Sequence, residues 1–264
     1  MKKVLCEGTT ICYAEEGQGE QVVILLHGFC GSSAYWDDVV PLLSEAYRCI
    51  VPDLRGHGRT DAPKGAYSID GMADDVLKLM NELNIPRAAV LGHSMGGYIA
   101  LSLAERYPDR LSAVGLIHST AYPDTEEAKD KRLQAVSTIE NKGITAFIDG
   151  LVPGLFAPEH LEQMPDQVLK VRELGYKTPP QGASGAALAM RERPDRRDVL
   201  SSTSLPVLLV AGEKDQLIPV DRTFTAEGPN VQHTIIAGAG HMSMLEAPTE
   251  LAQVITGFMK ERIQ

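Results

Sequence analysis

With 264 residues the chain can bury a large core, either in one α/β domain or in two small ones. Its 44% hydrophobic and 23% charged residues are ordinary for a soluble globular protein, and a net charge of −10 argues against nucleic acid or an anionic membrane as a partner, since phosphate binding needs clustered Lys and Arg. No run approaches the roughly 18 apolar residues of a membrane span, and Lys2 and Lys3 are not followed by the apolar stretch of a secretory signal, so a cytoplasmic location is expected.

The opening segment KKVLCEGTTICYAEEG reads as two short strands turning at Gly8, an antiparallel hairpin. Six apolar runs follow at 22–26, 47–51, 88–91, 113–117, 206–210 and 233–237. They are continuous rather than alternating, which predicts parallel strands with helices packed on both faces of the sheet. Between them, 68–84 places Ile69, Met72, Val76, Leu79, Met80 and Leu83 on one helical face, with Ser68 or Asp70 as N-cap. A terminal helix over 248–263 starts near Pro248 and ends near Lys260 and Arg262, the expected polarity.

The strand rhythm breaks between 121 and 200, where helical pieces are separated by VPGLF, APEH, KTPPQG and ERPD. That stretch is expected to be a helical cap inserted after the sixth strand, with the core formed by 1–120 and 201–264. The Gly- and Ala-rich GASGAALAM fits a closely packed helix better than a flexible linker. Cys6, Cys12, Cys30 and Cys49 are expected as reduced, mostly buried residues, a Cys6–Cys12 crosslink across the hairpin being the alternative.

Three polar residues follow predicted strand ends, where ligands collect in open α/β sheets. Ser94 lies in Gly92-His93-Ser94-Met95-Gly96, Asp215 in AGEKDQLIP, and His241 in GAGHMSMLEAP. A serine hydroxyl near neutral pH needs a histidine to take its proton, and the histidine needs a buried carboxylate to fix its tautomer. Glycines beside Ser94 permit a sharp strand-to-helix turn, and the helix that begins at Met95 favours developing negative charge. The loop LLHGFCGSS offers the Phe29 amide to pair with that of Met95 as an oxyanion hole.

The motifs LHGFCGSS, PDLRGHGRT, GHSMGG, GEKD and GAGHM together resemble, in order and over nearly the whole chain, α/β-hydrolase fold enzymes with a helical cap. The resemblance implies Ser94 as nucleophile, Asp215 as acid, His241 as base, and Phe29 and Met95 as oxyanion donors. AMRERPDRRDVL is similar to the cap-to-core return of small esterases and lactonases, while HGFCGS is also similar to relatives acting in menaquinone synthesis. A serine at the elbow separates the chain from dehalogenases and epoxide hydrolases of this fold, which use aspartate there. Some family members carry the acid after the preceding strand, but HSTAYPD offers no carboxylate there before Asp124.

Among the other histidines, His27 and His57 lie in glycine-rich loops and are expected to bond local backbone, and His93 should point away from Ser94. Asp53 and Arg55 are expected to pin the loop below the site. No HxH, HExxH or paired cysteines suggest a metal, and no cofactor is expected. The leading expectation is a serine hydrolase of small esters or lactones, its acyl pocket drawn from Tyr122, Phe147, Leu151, Leu155, Phe156 and Met190. One alternative is C–C cleavage or a cyclohexadiene-forming elimination on a carboxylated metabolite, anchored by Arg191, Arg193, Arg196 or Arg197. Another is a triad-bearing small-molecule receptor.

Overall fold

Apolar runs without alternation need cover on both faces, and the computed structural model, which describes residues 1–263, provides it. The eight strands are β1 (Lys2–Cys6), β2 (Thr9–Glu16), β3 (Val22–Leu26), β4 (Arg48–Pro52), β5 (Ala88–His93), β6 (Leu111–Ile117), β7 (Val207–Gly212) and β8 (Val231–Ile236). They form one sheet in the order β1-β2-β4-β3-β5-β6-β7-β8. The β1–β2 hairpin is antiparallel, with Gly8 at φ +85° in its turn, and β2 joins β4 antiparallel; every other pairing is parallel.

Alternate residues of β3 serve opposite faces, as a two-residue pleat requires. Ile24 and Leu26 pack with Met72 and Leu79 of α1 (Ile69–Glu82) and with Tyr98 and Leu103 of α2 (Met95–Arg106). Val23 and Leu25 pack with Trp36, Leu43 and the terminal helix Pro248–Arg262, through Ile255 and Phe258. Ser68 rather than Asp70 caps α1, its hydroxyl accepting the Gly71 amide at 3.0 Å. Strand β8 departs from the two-face expectation: it is the last strand of the sheet, and Ile235 is exposed. The four cysteines are buried thiols, none bonded to another.

Between β6 and β7 the chain forms helices α3 (Glu126–Leu151), α4 (Pro165–Tyr176), α5 (Pro180–Arg191) and α6 (Arg197–Ser202), with short helical turns at Val152–Gly154 and His160–Gln163. Thr125 caps α3 by accepting the Ala128 amide, and Gly143, at φ +86° and ψ +163°, breaks α3 in its middle. Helix α5 contains the GASGAALAM segment and buries Gly182, Ala183, Ala186, Ala187, Ala189 and Met190. It lies so close to the loop after β4 that a Cβ on Gly56 would stand 2.6 Å from the Gly182 Cα. Strand β3 sits between β4 and β5, so the chain direction across the sheet reverses there. The loops after β3 and β5 flank that reversal, the usual location of a ligand crevice.

Candidate active site

Strand β5 ends at His93 and α2 starts at Met95, so Ser94 must turn the chain within one residue. It does so at φ +51° and ψ −116°, a conformation that costs a non-glycine residue about 1–3 kcal/mol. The turn closes because its neighbours lack side chains: a Cβ on Gly96 would meet the Leu26 carbonyl oxygen at 2.6 Å, and one on Gly92 would collide with Gly96. Three hydrogen bonds hold the strained residue. The Ser94 amide donates to Ile117 O at 2.9 Å, and its carbonyl accepts from the Gly97 amide at 2.9 Å and the Ser119 hydroxyl at 2.7 Å.

Asp215 follows β7 and His241 follows β8, and His241 Nδ1–H donates to Asp215 Oδ2 at 2.7 Å. Asp215 Oδ1 accepts the Leu217 and Ile218 amides at 2.9 and 3.0 Å. Burial alone would raise this carboxyl, but the adjacent His241 and His118 imidazoles outweigh it and hold Asp215 well below the usual carboxylate range. With Nδ1–H committed to an ionised Asp215, His241 keeps Nε2 as the ring's acceptor. His241 and Ser94 line the same cavity.

Sequence reasoning overlooked two groups around this pair. His118, at the end of β6, brings Nδ1 to 3.3 Å from Asp215 Oδ2, long and poorly aligned for a hydrogen bond. Its Nε2 lies 2.6 Å from Ser243 Oγ. A bare Nδ1 lone pair would repel the carboxylate, so Nδ1 carries the proton and Nε2 accepts from Ser243. Burial lowers the His118 pKa, partly offset by Asp215. Glu246 is the second group. Its Oε2 accepts the Gly240 and Met242 amides, on either side of His241, at 2.9 and 3.0 Å. Its Oε1 accepts the Ala157 amide at 2.7 Å and lies 2.8 Å from His160 Nδ1.

On the opposite side, Gly28–Gly31 forms a turn with Cys30 at φ +55°. His27 braces it, Nδ1–H donating to Gly28 O at 2.8 Å and Nε2 accepting the Leu54 amide at 2.9 Å. His57 Nδ1–H donates to Arg55 O at 2.9 Å. Burial pushes both imidazoles below their usual range, His57 to about 3 with help from its neighbour His27. Asp53 ties two loops together, accepting the Ser33 amide at 2.7 Å and the Arg59 amide at 2.9 Å, and Arg55 grips Asp75 of α1 with two 2.6 Å bonds. His93 turns from Ser94, as expected, and donates Nε2–H to His241 O at 2.9 Å. The amides of Phe29 and Met95 have no acceptor among the described residues.

Above Ser94 lies a cavity of about 420 Å³, within the ordinary range for a small-molecule site. Leu151, Leu155 and Met190 line it, together with Phe29, Ile218 and Leu217. The other three acyl-pocket candidates lie elsewhere, a correction to the sequence reading. Phe156 is only 1% exposed and belongs to the core. Phe147 packs edge-on against Phe29, ring centroids 5.7 Å apart. Tyr122 lies under the guanidiniums of Arg197 and Arg222, at 4.5 and 3.8 Å.

Of the four arginines around 191–197, only Arg193 lines the cavity; Arg196 pairs with Asp70 and Glu105, Arg197 with Asp195 and Arg191 with Glu192. Arg222, which sequence reasoning passed over, lines the cavity as well.

A family model for the alpha/beta hydrolase fold matches residues 21–142. The structure superposes with a TM-score of 0.94 on a thermophilic esterase from Thermogutta terrifontis, solved with malate bound, at 30% identity and with both chains fully covered. The chain is 29% identical to 3-oxoadipate enol-lactonase 2 of Acinetobacter baylyi, over 94% of this chain and 92% of the lactonase. It is 32% identical over 91% of its length to the dihydrolipoyllysine-residue acetyltransferase component of the acetoin cleaving system of Cupriavidus necator, of which it spans only 64%. Sheet order, serine elbow and full-length similarity to the esterase agree: the chain belongs to the α/β-hydrolase fold family, on its esterase- and lactonase-like side.

Proposed function

We propose that the protein is a serine hydrolase that cleaves small carboxylic esters or lactones through an acyl-enzyme. The observation that carries this reading is the strained Ser94 turn opening on the same cavity as His241, whose Nδ1–H is committed to Asp215. Ser94 Oγ attacks the carbonyl carbon while His241 Nε2 takes its proton, the step a bare hydroxyl performs poorly. Asp215 stabilises the imidazolium that forms. The unspent amides of Phe29 and Met95 receive the oxyanion, each donor contributing about 3–4 kcal/mol to transition-state stabilisation.

Collapse of the tetrahedral intermediate breaks the carbon–oxygen bond to the leaving group, and His241 returns the proton to that alcohol oxygen. A lactone follows the same course with its alcohol still tethered. Water, deprotonated by His241, then attacks the acyl-enzyme, and the second collapse frees the acid and restores Ser94. The esterase and enol-lactonase likenesses support this bond class. The apolar side of the cavity, with Leu151, Leu155 and Met190, suits a short aliphatic chain.

The test is hydrolysis of p-nitrophenyl butyrate by wild type and Ser94→Ala. The variant is expected to keep its circular dichroism spectrum and lose turnover by at least about 10⁴-fold. A folded Ser94→Ala protein that still hydrolyses the ester at a tenth of the wild-type rate would overturn the reading.

A further inference from the structure

The charge inside the cavity runs against that of the protein. A chain of net charge −10 places three arginines, Arg132, Arg193 and Arg222, among the residues lining one cavity, against the single acidic residue Asp124. Asp124 is shared: Arg193 Nη1 reaches its Oδ1 at 2.6 Å and Arg132 Nε its Oδ2 at 3.0 Å. Lys131, at the rim, is paired outward with Glu127.

Arg222 differs from its neighbours. Its guanidinium makes no ion pair among the described residues, whereas Arg197, over the same Tyr122 ring, is matched by Asp195. The Arg222 carbonyl accepts the Thr120 hydroxyl at 2.6 Å, which fixes the backbone from which the side chain reaches. Its Cζ lies 3.8 Å from the Tyr122 ring centroid, a contact that uses none of its donors, since a cation over an aromatic face is attracted to the ring and not to a hydrogen-bond acceptor. Arg193 is held likewise, 3.9 Å over Tyr98, with Nε and Nη1 given to Tyr122 O, Met190 O and Asp124.

We propose that the cavity selects esters or lactones that carry a free carboxylate, and that Arg222 is the residue that recognises it. This rests on the serine hydrolase reading and adds the class of substrate. A planar guanidinium with its donors unspent matches a carboxylate through two parallel N–H···O bonds, and the positive surplus left by sharing Asp124 strengthens the attraction. The apolar wall of Leu151, Leu155 and Met190 accommodates the methylenes between the carboxylate and the reacting carbonyl. The overall negative charge of the protein penalises non-specific anion binding, so recognition depends on this local cationic side.

The test compares mono-4-nitrophenyl adipate with its neutral methyl ester at constant ionic strength, in wild type, Arg222→Met and Arg222→Lys. Wild type is expected to favour the free acid in kcat/KM by about 10- to 100-fold, the worth of one charge-assisted contact. In R222M the ratio falls towards unity, and R222K restores part of it. A wild type without preference for the acid, or a preference that R222M leaves intact, would overturn the proposal. Calorimetry with glutarate provides a readout without turnover: wild type is expected to bind it at least about tenfold more tightly than R222M does. Equal binding by the two proteins, or sulfate bound as tightly as glutarate, would count against carboxylate recognition. If neither ester is hydrolysed while glutarate binding still depends on Arg222, the hydrolase reading fails and the carboxylate site stands.

Discussion

Below the cavity, the groups aimed at a reacting carbonyl are held by several hydrogen bonds each; above it, the chain between β6 and β7 supplies an apolar wall of Leu151, Leu155 and Met190 beside the charged Asp124, Arg132 and Arg193. Asp215 accepts from two amides and from His241, with His118 close by. Ser94 is tied by its amide to β6 and by its carbonyl to Ser119 and Gly97. The side chains of Leu151 and Leu155 have only van der Waals neighbours, although the Leu155 carbonyl accepts the His241 amide at 2.8 Å; among the roof side chains, Arg193 and Asp124 are held by several hydrogen bonds, as the floor is. The two halves therefore differ in what a substitution does. A floor residue sets the position of a reacting atom, where small displacements are costly, whereas a roof residue sets volume and polarity, which act on binding.

The sharpest way to break this contrast is Asp215→Asn. The amide cannot serve as the charged acceptor that stabilises the His241 imidazolium, and the nearby His118 offers only a donor, so kcat for p-nitrophenyl butyrate is expected to fall about 10⁴-fold with KM little changed. A loss smaller than tenfold would mean that the floor tolerates the exchange. Next comes Glu246→Gln, which turns one of two acceptor oxygens into a donor facing amides or His160. A buried mismatch of this kind costs about 1–3 kcal/mol, so Tm should fall by roughly 2–12 °C, and the displaced His241 backbone should lower kcat roughly 10- to 100-fold. An unchanged kcat at lowered Tm would assign Glu246 to stability alone. The smallest effect belongs to the roof: Leu151→Ala should move the preferred acyl chain longer by one or two carbons, changing kcat/KM on each ester about three- to tenfold while kcat holds. A fall in kcat common to all chain lengths would remove the distinction between the halves.

Much of the floor is legible in the sequence because its positions are local. Continuous runs such as VVILL mark strands, and Ser94, Asp215 and His241 each follow one directly. His118 obeys the same rule at the end of β6, but nothing local to it shows that its imidazole approaches Asp215, which follows the neighbouring strand nearly a hundred positions later. Glu246 acts on backbone amides and His160, so its partners have no pattern to read. The roof is less legible for a geometric reason. Phe147, Phe156 and Tyr122 have the right composition for an acyl pocket, but which way each turns depends on how the helices pack. Arg222 depends on Tyr122, a hundred positions earlier in the chain, and no local pattern joins them.

The contact of Gly56 with Gly182 bears on how such a protein can change over time. Helix α5 rests on the loop after β4 backbone to backbone, and a methyl group added on either side has no room. Drift at either position would prise the helix off its seat and take Met190 and the start of the arginine segment with it. Lineages that acquire new substrates must therefore do so by exchanging the side chains that hang from a fixed frame. Positions 151, 155 and 222 are then where descendants of this chain should diverge first, while 56 and 182 stay paired as glycines.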